Sequence, residues 1–414
     1  MKILKSSVYE AITLFMLISA CFTLSTANLH AQSESKAETK VDFEEKGIKF
    51  SSSDSVSDVT MGFRTQSWAT YTTVSTSDFS AASTFMAVRR MRLKFDGHLF
   101  SKQLRFKLEL GFSRSDLNAG DPNIANPILD AVVFWDFTKN LQVSFGQTKL
   151  PGNRQRVVSS SQMEYADRTI VNSAFNPDRD FGLQAFWRPI HGDVILNLRG
   201  AITEGGGRNQ LTNPGGGFAY TGRAEILPLG EFKKGGDYFE GDLLHESTPK
   251  LSVGITMHHN EGAGKTMGTL GTPLFALRNQ DIVYADAVLK YSGLCIYSEY
   301  GQRTSADPVT VNPKDSTATS TVVVGSGWMA QASYTFPSMW TVGVRYAEVD
   351  PSDQLKGLSS YHKDQNFATM VGYYIDAHKI KAQLEVGENM RTLLNANNLE
   401  NANYYTRLNF ELGI

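Results

Sequence analysis

The sequence predicts an all-β fold: a transmembrane antiparallel β-barrel of about sixteen strands, with short turns at one rim and long loops at the other. Three observations predict it. Apolar and polar residues alternate with period two along most of the chain, the connections between these segments alternate in length, and an export signal precedes a chain with no later apolar run long enough for a membrane helix. Composition agrees, since 24 Phe, 16 Tyr and 35 Gly favour strands joined by turns. A net charge of -2 gives no argument for a nucleic-acid partner.

The N-terminus reads as a processing signal. Lys2 and Lys5 precede a nearly continuous apolar run over residues 11–24, and Leu29-His30-Ala31 comes before Gln32. This predicts a signal peptide over 1–31, cleaved after Ala31. Ile18-Ser19-Ala20-Cys21 offers a second reading, a lipoprotein-type site with Cys21 acylated. Once the signal is gone, Cys295 is the only cysteine, so no intramolecular disulfide can form. Residues 32–58, rich in Ser, Glu, Lys and Asp, read as a flexible leader, and the barrel is assigned to 59–414.

The clearest strand is 103–113, with Leu104, Phe106, Leu108, Leu110 and Phe112 on one face and Arg105, Lys107 and Glu109 on the other. Before it, Met91, Leu93 and Phe95 alternate with Arg90, Arg92 and Lys94; after it, Ala131, Val133 and Trp135 lie opposite in parity to Asp130 and Asp136. Such segments predict strands near 59–72, 84–99, 103–114, 128–137, 140–149, 180–188, 193–204, 218–227, 250–260, 281–291, 293–303, 323–336, 340–348, 367–376, 379–389 and 403–414. Connections at 100–102, 138–140, 189–192, 292, 337–339 and 377–378 are short, and those between them are long, as for periplasmic turns and outer loops. The segment 228–249 breaks this rule, being long where a short turn is due. Two soluble sandwiches would use the same strands, but no linker divides the chain. Trp135, Phe137, Trp187, Trp340, Tyr373, Tyr404 and Tyr405 also fall near strand ends, where membrane girdles sit. A last strand patterned through Ile414 predicts pairing with the first, which leaves the barrel no open edge.

Several stretches resemble the phosphate-selective porin O and P family. "RRMRLKFDGHLFSKQLRFKLEL" is similar to its second and third strands, and "ILDAVVFWDFTKNLQVSFGQTKLPGNRQ" to the next hairpin, with Gly146, Gln147, Lys149 and Pro151 in a Gly-Gln-x-Lys-x-Pro run. "DRTIVNSAFNPDRDFGLQAFW" resembles the turn that enters a strand at Phe181, and "MVGYYIDAHKIKAQLEVGE" the penultimate hairpin. The resemblance spans 59–414. It implies a sixteen-stranded porin in the outer-membrane lipid of a Gram-negative bacterium, a homotrimer that passes small anions such as phosphate or other oxyanions by diffusion, with no cofactor.

Arg90, Arg92, Lys94, Arg105 and Lys107 form a one-signed cluster on adjacent strands, a candidate anion-guiding wall. The longest loop, from Leu150 to Arg179, carries Arg154, Arg156, Arg168 and Arg179, and the family resemblance suggests a constriction there. Planar guanidinium donors match oxyanion edges, and fixed positive charge favours anions. Against this, Glu164, Asp167, Asp178 and Asp180 lie in the same stretch, so internal pairing and a non-selective pore form the competing reading. Arg89 shares parity with Met91 and hence points to lipid, where a midplane Arg costs ~2–4 kcal/mol. Either a bulge shifts the parity there or Arg89 lies in a subunit interface.

The signs of enzyme chemistry are weak. "GAGKT" at 262–266 ends like a phosphate-binding loop, but His259 stands where that loop needs glycine and no helix follows. His258 and His259 alternate in direction and cannot share a metal. No catalytic or metal-binding residue is predicted. A membrane-barrel enzyme or structural barrel is the alternative outside diffusion.

Overall fold

A computed structural model describes residues 39–44, 47–54, 56–117, 126–210, 213, 215–396 and 398–414. The expected signal peptide, Cys21 and residues 32–38 of the expected leader lie outside the described residues.

The strands are β1 (Lys40–Glu44), β2 (Gly47–Ser51), β3 (Asp58–Thr73), β4 (Ala81–Leu99), β5 (Ser101–Gly111), β6 (Ile128–Thr138) and β7 (Leu141–Lys149). They continue with β8 (Arg179–Ile190), β9 (Ile195–Thr203), β10 (Ala219–Leu227), β11 (Lys250–Met267), β12 (Leu270–Tyr291), β13 (Leu294–Thr304), β14 (Val309–Asn312) and β15 (Asp315–Thr321). The last are β16 (Gly325–Thr335), β17 (Trp340–Pro351), β18 (His362–Asp376), β19 (Ile380–Leu393) and β20 (Asn398–Gly413). Eighteen of them share one antiparallel sheet, in which the β1–β2 hairpin is an appendage and the other sixteen close the barrel. The seal is β20 on β3, from Tyr405↔Thr72 to Gly413↔Arg64. β14 and β15 form a separate hairpin within an outer loop.

The alternation read from the sequence becomes two faces. On β11, Val253, Ile255 and Met257 are exposed on the outer wall, while Ser252, Thr256 and His258 are buried in the lumen. Short turns at one rim need a left-handed residue to match the strand twist, and Phe100, Ser292, Met339 and Ala377 take positive φ there. Near this rim Trp340 and Tyr373 are cross-strand partners with ring centroids 4.9 Å apart. Tyr405, expected in the girdle, instead points inward: it is 5% exposed and its hydroxyl donates to Glu385 Oε1 at 2.7 Å.

Two expectations are corrected and one open alternative is decided. Residues 40–51, placed in a flexible leader, form the β1–β2 hairpin, and β2 pairs with the start of β3 below the β20 seal. Its apolar Val41, Phe43, Ile48 and Phe50 alternate with charged residues, a period-two pattern masked by the local charge. Residues 261–280, counted as a long loop, are the ends of β11 and β12, joined by a two-residue turn at Gly268 and Thr269. The stretch "GAGKT" therefore lies inside a strand. Lastly, Arg89 is the extra residue of a bulge: Gln66 pairs with Arg90 and Ser67 with Val88, which turns Arg89 inward. It meets Asp167 at 3.1 Å and lies over Trp68, 5.1 Å from the ring centre, so the bulge alternative holds.

Candidate anion pathway

The loop at 150–178 leaves β7 and folds into the lumen. Its first helical turn, α1 (Arg154–Val157), presents Arg154 to the wall at β10–β12. Arg154 is 1% exposed and bonds Asp286 at 2.5 Å and Ser252 at 2.8 Å, with Glu225 at 3.3 Å. A second turn, α2 (Ile170–Phe175), begins at Thr169, whose side chain accepts from Asn172 N. Val171 and Phe175 pack with Ile282, Tyr284 and Met329 in an apolar cluster inside the barrel. The end of α2 is closed by Arg303, which donates to the carbonyls of Ala174 at 2.7 Å and Phe175 at 3.1 Å.

Between the two turns the loop crosses to the wall at β17–β19. Lys381 donates to Ser161 O at 2.9 Å and Met163 O at 2.6 Å, and Arg345 donates to Asp167 O while stacking over Tyr165. Gln383 bonds Glu164 O. From the short-turn rim, the anomalous segment 228–249 turns inward to meet the loop, with Glu240 N donating to Gln162 O at 2.9 Å. The β10–β19 side of the lumen is therefore packed. On the β3–β7 side a cavity of about 720 Å³ remains, lined by Arg64, Arg92, Lys94, Lys107 and Lys149, with Glu109, Asp242, Glu246 and Glu411 among the acids.

All five predicted wall residues face inward, but each has a carboxylate partner. Arg90 meets Asp167 at 2.7 Å, Arg92 meets Glu109 at 2.9 Å and Asp116 at 2.8 Å, and Lys94 meets Asp96 at 2.6 Å. Arg105 meets Asp136 at 2.7 Å, and Lys107 meets Asp130 at 2.5 Å. The loop arginines divide. Arg154 is locked as described, Arg156 pairs with Asp178, and Arg179 is the first residue of β8 rather than part of the loop, bonded to Asp130 at 2.8 Å.

Arg168 is different. Its guanidinium donates to Gln155 O at 2.7 Å and Val158 O at 2.8 Å. The same Val158 carbonyl accepts from Lys149 Nζ at 3.2 Å, and Val157 O accepts from Lys149 at 3.1 Å. Two cations thus converge on one carbonyl, and among the described residues no carboxylate stands within ion-pair distance of either. Burial and the neighbouring Arg90 lower the Arg168 guanidinium to about 9, which leaves it charged at neutral pH. Lys149 was missed as a site residue because the sequence places it only in the Gly-Gln-x-Lys-x-Pro run. That run is the one signal that could have found it. Gly146 in the same run has φ +130°, and a Cβ there would strike Ala131 O, so glycine lets β6 and β7 approach.

His258 and His259 point to opposite faces, as expected. His258 is buried beside Thr221 Oγ1 at 2.9 Å, and outward His259 meets Asp281 at 2.7 Å.

Comparison with known proteins places the chain. The phosphate-selective porin O and P family profile matches residues 59–410. Among solved structures the fold is similar to the anion-selective porin from Comamonas acidovorans, with TM-score 0.55 and 12% identity over 86% of this chain and 100% of that one. It is similar to the outer membrane channel DcaP of Acinetobacter baumannii, with TM-score 0.54 and 12% identity over 89% of this chain and 100% of that one. For OmpT of Vibrio cholerae in its trimer form, the TM-score is 0.53 and the identity 9% over 87% of this chain and 100% of that one. At such identities the likeness is one of fold. No curated protein matches by sequence. The family match decides the matter: this chain belongs to the phosphate-selective porin O and P family, and is an outer-membrane porin of a Gram-negative bacterium.

Proposed function

We propose that this porin favours small anions, with phosphate and other oxyanions as the substrate class, and that they pass along the β3–β7 side of the lumen by Lys149 and Arg168. The observation that carries the reading is the convergence of those two cations on Val158 O without a carboxylate partner. Their donors are held by carbonyls rather than neutralised by carboxylates, and an entering oxyanion gains hydrogen bonds and favourable charge there. The paired wall residues Arg92, Lys94 and Lys107 line the approach without adding much net charge. Family membership supports the anion reading, and assembly as a homotrimer in outer-membrane lipid follows the family in the same way. Diffusion through a water-filled path needs no reaction chemistry.

A general pore with little charge preference is the second reading, and it too rests on a specific observation: every predicted pathway cation except Arg168 has a carboxylate partner. Purified protein in a planar bilayer separates the two. Discrete conductance steps in chloride, reduced when phosphate is added at low concentration, are expected. Absent steps would contradict a pore, and steps indifferent to phosphate would favour the general pore. Unheated gel electrophoresis and cross-linking report the trimer.

A further inference from the structure

We propose that Glu164 and Glu240 form a proton-held clasp that docks the 228–249 turn on the 150–178 loop, and that the clasp releases as pH rises. The two carboxylates come from opposite rims and meet inside the lumen, 0% and 3% exposed. Glu164 N donates to Glu240 Oε2 at 2.9 Å, and Glu240 N donates to Gln162 O at 2.9 Å, so each segment holds the other's backbone. Gln331 Nε2 reaches both acids, at 3.5 Å from Glu164 and 3.4 Å from Glu240, and Ser333 Oγ donates to Glu164 Oε2 at 2.8 Å. The remaining oxygen of each, Glu164 Oε1 and Glu240 Oε1, is buried without a hydrogen-bond partner. Gly241 stands against Glu164 with φ +74°, and a Cβ there would collide with Oε1.

The cations around this pair are engaged elsewhere. From β12, Lys290 donates to Phe239 O and Gly241 O; from β19, Lys381 donates to Ser161 O and Met163 O. Arg345 of β17 stacks over Tyr165 and lies 3.5 Å from Glu385. His378, in the turn after β18, lies against the rings of Phe239 and Tyr374. Arg168 of the loop acts on Glu240 through space, and Lys290 and Lys381 offset part of the burial of Glu164. An ionised Glu164 would carry its charge in a buried site beside the Glu240 carboxylate, so the proton on Glu164 favours the docked state. Burial raises the Glu164 carboxyl to about 7. Below that value the clasp is neutral at Glu164 and closed; above it, charge repulsion works to part the two segments and widen the cavity between the turn and the β3–β5 wall.

Cys295 supplies a native reporter. It lies on β13 facing the lumen, 1% exposed, packed with Leu227 and Phe232 and against the Gly241 backbone. Release of the turn would uncover it. The experiment is alkylation of the folded porin with N-ethylmaleimide, followed by mass mapping of the Cys295 peptide, with each rate divided by that of the unfolded chain at the same pH. The normalised rate should rise by up to roughly tenfold per unit from about pH 5 to about pH 7, between the ordinary carboxyl value and the raised one, and level off above it, the limit for one linked proton. Single-channel conductance should increase over the same range. Glu164→Gln should hold Cys295 protected throughout, whereas Glu240→Gln should weaken the pH response without abolishing it, since burial of Glu164 remains. A flat normalised rate in the wild-type protein would overturn the clasp, as would a full pH response that persists in folded Glu164→Gln. If neither variant folds, the wild-type rate alone decides. Anion preference does not enter these readouts, so loss of the anion reading would leave the clasp standing, and the reverse.

Discussion

Arg154 and Arg168 occupy one loop, fourteen positions apart, and their surroundings differ in the one respect that matters to a passing ion. Arg154 lies on the packed side of the lumen, its charge answered by Asp286 and Glu225 and its face covered by Tyr238 at 5.1 Å. The Arg168 guanidinium is bonded only to carbonyls, and Lys149, which lines the open cavity, meets the same Val158 oxygen. The lesson is that an arginine in a pore loop is not by itself a selectivity element. The first is a rivet that fixes the loop to the wall, and the second is left with charge to offer.

Substitutions can break that contrast. The largest effect on stability is expected from Arg154→Ala, which removes the loop's bonds to Asp286, Glu225 and Ser252 and leaves the two carboxylates to Arg223, at a cost of ~1–3 kcal/mol. The temperature at which the folded band converts to the unfolded one on gels would report it. Next is the double change Lys149→Gln with Arg168→Gln, which should abolish phosphate block of the chloride current while discrete conductance steps survive. An unchanged block would move the anion site elsewhere. Arg105→Ala should matter far less, since its pair with Asp136 is 37% and 28% exposed at the two side chains. A loss of ~0–1 kcal/mol, with selectivity intact, is expected there. Smallest of all is removal of residues 40–51. The β3–β20 seal runs from Arg64 to Thr72 and does not involve β2, so the barrel should still assemble and conduct. Deletion of residues 410–414 provides the opposite control, because it removes much of that seal and should prevent assembly.

Much of this fold was legible because the barrel imposes one rule, in from out, at every strand residue. That rule located the strands and the turn rim, and the misfit of Arg89 left a bulge or a subunit interface open, which the strand register settles as a bulge. It failed where parity carries no information. The partners of Arg90, Arg92 and Lys107 depend on cross-strand register and on which loop residue reaches them, as Asp167 does for Arg90. The inward path of 228–249 could be suspected from its length alone, but its docking on Gln162 and Glu164 is a tertiary contact without a local signal. The ribbon at 261–280 was hidden by its glycines, and the β1–β2 hairpin by its charges. Lys149 escaped because a strand-end lysine in a motif reads the same whether it meets an acid or a carbonyl.

The most direct test of the anion account is the reversal potential of wild-type channels in a planar bilayer under a potassium chloride gradient. The account predicts a sign that favours chloride, with a magnitude that grows as ionic strength falls and screening of Lys149 and Arg168 weakens. A potential that favours potassium, or one near zero at every ionic strength, would contradict it.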